Sequence, residues 1–153
     1  MTKPMYAFAA AAVVVCLFEL MACEQVSPRV SNPIVGAWFV NVPGAPFQYH
    51  MFIFAADGTM QQANPDAGDA NTSDSDGMGV WTKKGDRITG KFVEVTADRA
   101  THAFVSRGEI SFDLKVDGDA FTGTASARFY DLHGALIRGP LPAALEGQRV
   151  HPE

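Results

Sequence analysis

The chain has few cysteines, no concentrated positive charge and no long helical pattern, and each shortage excludes a class of protein. Its only two cysteines, Cys16 and Cys23, lie near the start of the 153 residues. The sequence after Cys23 therefore cannot form a disulfide, a thiolate metal site or a redox cysteine pair. The net charge is −5, and the basic residues are scattered except at Lys83-Lys84. We therefore expect no nucleic-acid partner.

Motifs of known catalytic and metal sites are missing as well. The sequence has no nucleophile elbow, no Gly-rich phosphate loop and no HExxH motif. The histidines, His50, His102, His133 and His151, are not spaced as metal ligands. The acidic stretch over 64–79 lacks the bidentate acid that a calcium loop needs, and it is expected to be a long solvated loop. We therefore expect no metal and no cofactor.

The first residues have the layout of an export signal. Lys3 precedes the apolar run "MYAFAAAAVVVCLF", and small residues follow before Cys23. The run is shorter than the roughly 20 residues that a membrane-spanning helix needs. The pattern predicts a signal peptide over 1–22, a polar tether over 23–33 and one folded domain over 34–153.

The stretch Leu20-Met21-Ala22-Cys23 resembles a bacterial lipobox. In that family the cysteine becomes the first residue of the mature protein and carries the lipid. The resemblance implies lipidation of Cys23, location in the bacterial cell envelope and attachment to a membrane through the anchor. The alternative is an ordinary signal peptide and a soluble periplasmic or secreted product.

Alternation of apolar and polar residues dominates the rest of the chain. In "ISFDLKV", residues 110–116, the apolar side chains fall on one face, and "DGD" then predicts a tight turn into "FTGTASARFY". Similar segments recur about eight times, and the one short helical candidate is "LPAALEG". Hairpins with one apolar face must hide that face, which predicts an all-β domain with an antiparallel up-and-down barrel. A β-sandwich is the alternative.

The segment Asn32-Pro33-Ile34-Val35-Gly36-Ala37-Trp38 resembles the first-strand signature of lipocalins and other calycins, which is an Asn followed by Gly-x-Trp. The resemblance implies that Arg149 of the last strand stacks on Trp38 and that Gly36 permits close approach at the barrel base. It also implies an eight-stranded barrel that can enclose a cavity, and it implies no catalytic residues. The layout GxW, FxADGT, GxW, GD, DGDxFTGTA and GxRV also resembles that of small exported bacterial proteins without an established activity.

Two isolated polar residues are weak catalytic candidates. His50 shares a strand face with Phe52 and Phe54, and Glu94 continues the inward phase of "ITGKFVEV". The simpler expectations are that His50 is a hydrogen-bonded residue at the barrel rim and that a bulge turns Glu94 outward.

These observations leave three functions open. The first is a non-enzymatic envelope protein that binds a small hydrophobic ligand, the second is a barrel enzyme of the isomerase or cyclase type, and the third is a structural or interaction module with a solid barrel. The sequence does not indicate an oligomeric state. The residues expected to line or fill the barrel are Phe52, Phe54, Phe92, Phe112 and Phe129.

Overall fold

The computed structural model describes residues 32–65 and 70–153, and within these ranges it contains strands and no helix. The strands are β1 (Gly36–Asn41), β2 (Tyr49–Phe54), β3 (Thr59–Ala63), β4 (Thr72–Asp74), β5 (Gly77–Lys84), β6 (Arg87–Asp98), β7 (Phe104–Asp117), β8 (Ala120–Tyr130) and β9 (Leu136–Arg149). The predicted all-β class is confirmed. Residues 1–31, which hold the predicted signal peptide, Cys23 and most of the tether, lie outside the described part.

The strands form one closed antiparallel barrel. Each strand pairs with its neighbours in the order β1-β2-β3-β5-β6-β7-β8-β9, and β9 pairs with β1 to close the wall. The short strand β4 pairs with the far end of β6, beyond the stretch paired with β5, so β4 and β5 together serve as one interrupted wall strand. The predicted eight-stranded up-and-down barrel is therefore confirmed, and the sandwich alternative is wrong.

The described ranges include no helix with the length and apolarity needed to cross a membrane.

The β7–β8 hairpin shows how the sequence produces this wall. Val116 lies opposite Phe121, and Leu114 lies opposite Gly123, so the apolar set of both strands faces inward. The turn passes through Gly118 at φ 58°, a conformation that glycine adopts at little cost. The "DGD" signal and the alternation thus select the same register.

Two segments differ from their predicted structure. The acidic stretch over 64–79 is not a loop throughout, because Thr72–Asp74 and the residues from Gly77 onward are strands. Pairing with β6 supplies the backbone hydrogen bonds that the polar composition did not suggest. "LPAALEG" is extended rather than helical, because it pairs with β8 along most of its length.

The apolar core occupies one end of the barrel, called the base here, where the hairpin turns after β2, β5 and β7 meet. Trp38 packs against Phe121 with ring centroids 5.0 Å apart. Above this pair, Phe54 contacts Phe112 edge-on at 5.9 Å. The largest fully buried side chains of the apolar core are Trp38, Phe52, Phe54, Phe121, Ile34, Ile88, Leu114 and Val40. The base is therefore filled with side chains.

Arg149 closes the base from outside. Its guanidinium lies over the Trp38 ring, 4.2 Å from the centroid. Nη1 donates to the Val35 carbonyl at 2.9 Å, Nη2 donates to the Pro33 carbonyl, and Nε donates to Asp119 Oδ1 at 2.9 Å. The planar group thereby ties the start of the domain to the last strand.

Gly36 gives Arg149 the room to lie there. Its φ is 131°, and a Cβ at that position would lie 3.0 Å from Nη1 of Arg149. Both the backbone conformation and the space favour glycine. The spacing of Gly-x-Trp thus has a steric basis at this end of the barrel.

Candidate functional site

The half of the barrel opposite the base is hollow. A cavity of about 1010 Å³ extends upward from the aromatic core to the rim, which we call the mouth. The loop between β1 and β2, residues 42–48, borders it, and the exposed Pro43 and Pro46 form part of the opening. A closed wall with a filled base and a hollow upper half is typical of small-molecule sites in β-barrels.

Aromatic side chains form the floor and one wall of the cavity. Phe52 and Phe92 pack edge to face at 5.8 Å and make the floor, and Phe129 lies higher on β8. Phe54 and Phe112, which were also expected to line or fill the barrel, lie below the floor and belong to the core. The five phenylalanines therefore divide between cavity and core.

Glycines in the wall create the space into which these rings fit. A Cβ at Gly90 would meet the ring of Phe112, and a Cβ at Gly147 would meet the ring of Phe121. The rings of Phe112 and Phe121 therefore occupy space that a side chain of the wall would otherwise fill.

His50 lines the cavity, but the protein occupies both of its ring nitrogens. Nε2 lies 2.9 Å from the Phe47 carbonyl, and Nδ1 lies 2.9 Å from Nε2 of Gln62. The other end of the Gln62 amide accepts a hydrogen bond from the backbone N–H of Gly77 at 3.2 Å. Because the Gln62 oxygen accepts from Gly77, the Gln62 nitrogen is the group that donates to Nδ1 of His50. His50 is therefore neutral, with its proton on Nε2.

The environment of His50 also opposes its protonation. Burial lowers the pKa of His50, and the hydrogen bond to the Phe47 carbonyl offsets part of that effect. A second proton on Nδ1 would face the Gln62 amide donor. The structure thus places His50 as a satisfied residue near the rim, as the simpler expectation had it, and leaves it poorly suited to act as a base.

Glu94 faces the cavity, and the expected outward turn is wrong. β6 keeps its inward phase from Phe92 through Glu94, and the register of β6 with β7 shifts only after Thr96. Glu94 lies opposite Gly108, and a Cβ at Gly108 would lie 2.8 Å from Cγ of Glu94 and 3.1 Å from Cε1 of Phe129. The carboxylate side chain therefore lies across the bare glycine, beside the Phe129 ring.

The position of Glu94 changes its acidity. Burial raises the pKa of Glu94 to about 7, and the nearby carboxylate of Asp74 contributes in the same direction. Within the described ranges, Glu94 has no hydrogen-bond donor and no ion pair. A partly enclosed carboxylate without a donor is costly to ionise, and its ionised form gains most from an external cation or donor.

Sequence reasoning missed several polar residues of the cavity. The Thr96 hydroxyl donates to Asp74 Oδ1 at 2.6 Å, and both residues line the upper wall with Ser106. Arg138 lies at the mouth with its guanidinium 5.6 Å from the Phe129 ring centroid. The alternation of inward and outward residues in β6 and β7 could have placed Thr96 and Ser106 on the inward face. Asp74 could not have been found in this way, because it lies in the stretch 64–79, which was predicted to be a loop.

No cluster of three or more potential metal ligands occurs in the part of the chain that the structure describes. Comparison of the chain with protein families, with curated proteins and with solved structures finds no match in any of the three. The function of the folded domain is therefore inferred from the barrel and its cavity.

Proposed function

We propose that this barrel binds a small, mainly apolar molecule in the cavity above Phe52 and Phe92. The observation that supports this is the cavity of about 1010 Å³, whose floor is aromatic and whose mouth reaches solvent. Such a space suits a ligand that buries most of its own surface, because removal of apolar area from water stabilises the complex by about 25 cal/mol per Å². A lipocalin-like relationship, suggested by Gly36, Trp38 and Arg149, agrees with this proposal.

Fluorescence of the uncharged probe N-phenyl-1-naphthylamine tests the proposal. We expect enhancement with the purified domain, and we expect loss of binding in Ala127→Phe, because Ala127 lines the cavity and the larger side chain fills it. Ala144→Phe is the matched control, since Ala144 is exposed on β9. Both variants are checked for folding by thermal denaturation. Absence of probe binding to the wild-type domain, or equal binding to both variants, would contradict the proposal.

We further propose that the domain is exported and tethered to a membrane by a lipid on Cys23. The support is the apolar leader and the stretch Leu20-Met21-Ala22-Cys23. Labelling of bacteria that express the full chain with a palmitate analogue should mark the wild type and not Cys23→Ala. Release of a label-free product into the periplasm from both would favour the ordinary signal peptide.

An enzyme of the isomerase or cyclase type is the second candidate. It is supported by the fact that His50 and Glu94 both line the same cavity. Because the ring nitrogens of His50 are engaged, Glu94 would be the acid–base residue, and a pKa of about 7 suits that role at neutral pH. Incubation of a bacterial metabolite extract with wild type and with Glu94→Gln, followed by mass spectrometry and chromatography, would reveal a product that only the wild type forms.

A solid interaction module receives less support. The upper half of the barrel is hollow, although the outer face of the wall carries exposed apolar side chains, among them Met51, Ile53, Met78 and Val80. Exposed side chains of this kind favour association with another surface. Concentration-dependent sedimentation of the purified domain would show such association.

A further inference from the structure

The cavity combines a mainly apolar interior with the carboxylate of Glu94, to which the described residues supply no donor. Glu94 is mostly enclosed, faces the cavity and has neither a hydrogen-bond donor nor an ion pair among the described residues. The imidazole of His50, in contrast, is hydrogen-bonded to Phe47 and Gln62. A ligand that only filled the apolar space would leave the Glu94 carboxylate with less water and no partner, which costs free energy.

From this geometry we propose that the ligand is amphipathic and carries a protonated amine that contacts Glu94, while its apolar part lies on Phe52 and Phe92. The inference rests on the proposed function, since it names the chemical class of the molecule that the cavity takes. An ammonium group has three donors, and a charge-assisted hydrogen bond to a carboxylate is about twice as strong as a neutral one.

The surroundings of Glu94 favour a cation over an anion. Asp74 lies close enough to raise the pKa of Glu94, so two carboxylates contribute negative charge to this part of the cavity. The Phe129 ring lies near Glu94 across Gly108, and apolar surroundings strengthen the attraction between a carboxylate and an ammonium group. A ligand carboxylate at the same point would meet like charge from both acids.

Arg138 does not cancel this preference. Its guanidinium contacts the Phe129 ring at 5.6 Å, and its side chain is exposed at the mouth. It forms no ion pair with Glu94 within the described residues, and burial and Asp74 are the causes that shift the pKa of Glu94. The guanidinium charge is therefore directed to solvent and to the ring.

Competition by three ten-carbon molecules tests the inference. Decylamine, decanol and decanoate, each below its micellar concentration, displace N-phenyl-1-naphthylamine from the wild-type domain at pH 8. We expect decylamine to act at about 10-fold lower concentration than decanol, in line with one charge-assisted hydrogen bond in a partly enclosed site. Decanoate should be the weakest competitor. The advantage of decylamine over decanol should shrink as the pH falls from 8 to 6, because the proton that binds Glu94 removes the charge that the ammonium contacts.

Glu94→Gln and Glu109→Gln make a matched pair of variants. Glu109 lies on the outer face of β7, where it pairs with Lys91 and Arg107. Glu109→Gln therefore removes one carboxylate charge, as Glu94→Gln does, but outside the cavity. We expect Glu94→Gln to lose the preference for decylamine over decanol, because the amide carries no charge for the ammonium group to contact. Glu109→Gln should keep that preference.

The outcomes separate the inference from the proposed function. If probe and decanol bind but decylamine is no better than decanol, the amine inference is wrong and the apolar site stands. Preference for decanoate also overturns the inference and assigns the polar end of the ligand to Arg138. If neither probe nor decanol binds, the proposed function fails and the inference fails with it. Preference for decylamine that survives in Glu94→Gln places the cation elsewhere and refutes the role of Glu94.

Discussion

The closure of the barrel base by Arg149 makes a quantitative prediction. Arg149→Ala removes the stack on Trp38 at 4.2 Å and the hydrogen bonds to the Val35 and Pro33 carbonyls. The stack contributes about 0.5–2 kcal/mol, and a hydrogen bond from a charged group contributes about 1.5–3 kcal/mol. The ion pair with Asp119 adds little, because Asp119 is 63% exposed. Since these contributions overlap in one side chain, we expect a loss of about 2–4 kcal/mol in the free energy of unfolding.

Urea denaturation followed by tryptophan fluorescence measures this loss. Arg149→Lys keeps the charge but not the planar stack, and it should lose about half as much. Arg107→Ala is the control, because Arg107 also lies over an aromatic ring, that of Tyr130 at 5.3 Å, but its side chain is 45% exposed against 18% for Arg149. The control should lose less than about 1 kcal/mol. Equal losses for Arg149→Ala and Arg107→Ala would refute the reasoning that enclosure at the base gives the contact its strength.

Three further predictions concern the cavity and the core. The pKa of Glu94 in the folded protein, about 7, lies above its ordinary 4.5, so the contribution of Glu94 to folding stability is present at low pH and is lost as the pH rises through about 7. Glu94→Gln should therefore be more stable than the wild type by about 1–3 kcal/mol at pH 8, and the difference should vanish near pH 4. Thermal denaturation at a series of pH values measures this difference. Gln62→Leu leaves Nδ1 of His50 and the N–H of Gly77 without partners, and we expect a loss of about 2–4 kcal/mol in urea, whereas unchanged stability would contradict the hydrogen-bond chain. Gly147→Val introduces a side chain that clashes with the Phe121 ring, and it should lower the free energy of unfolding by about 1–3 kcal/mol or more. The double variant Gly147→Val with Phe121→Leu should recover part of this loss in the same urea assay.

The strands were predictable because they depend on local chemistry. In β7 and β8 the period-two alternation and the "DGD" turn agree, so the same register follows from either. The acidic stretch was misread because its polar residues carry no alternation. Its pairing with β6 depends on backbone hydrogen bonds, which composition does not show.

The candidate site was predictable only in part. Alternation correctly placed Phe52 and Phe92 inside, yet it could not separate them from Phe54 and Phe112, because all four point inward and differ only in height along the barrel. Glu94 was expected outside because a lone buried carboxylate is costly. Glu94 fits inside because Gly108 leaves space for its side chain. Its raised pKa keeps more of the carboxyl group neutral, which lowers the cost of enclosing it.

The sequence by itself determined that the chain folds into strands, that these strands pair as hairpins and that their apolar faces must be hidden, either in a barrel or in a sandwich. Those properties follow from period, turn residues and hydrophobicity, which act over a few neighbouring positions. Only the tertiary structure decided that the strands close into one barrel and that its base is filled while its upper half is hollow. It also decided that Gln62 engages His50 and that Glu94 faces the cavity without a donor among the described residues. Those outcomes depend on the stagger of eight strands around the barrel, which brings together side chains that are distant along the chain.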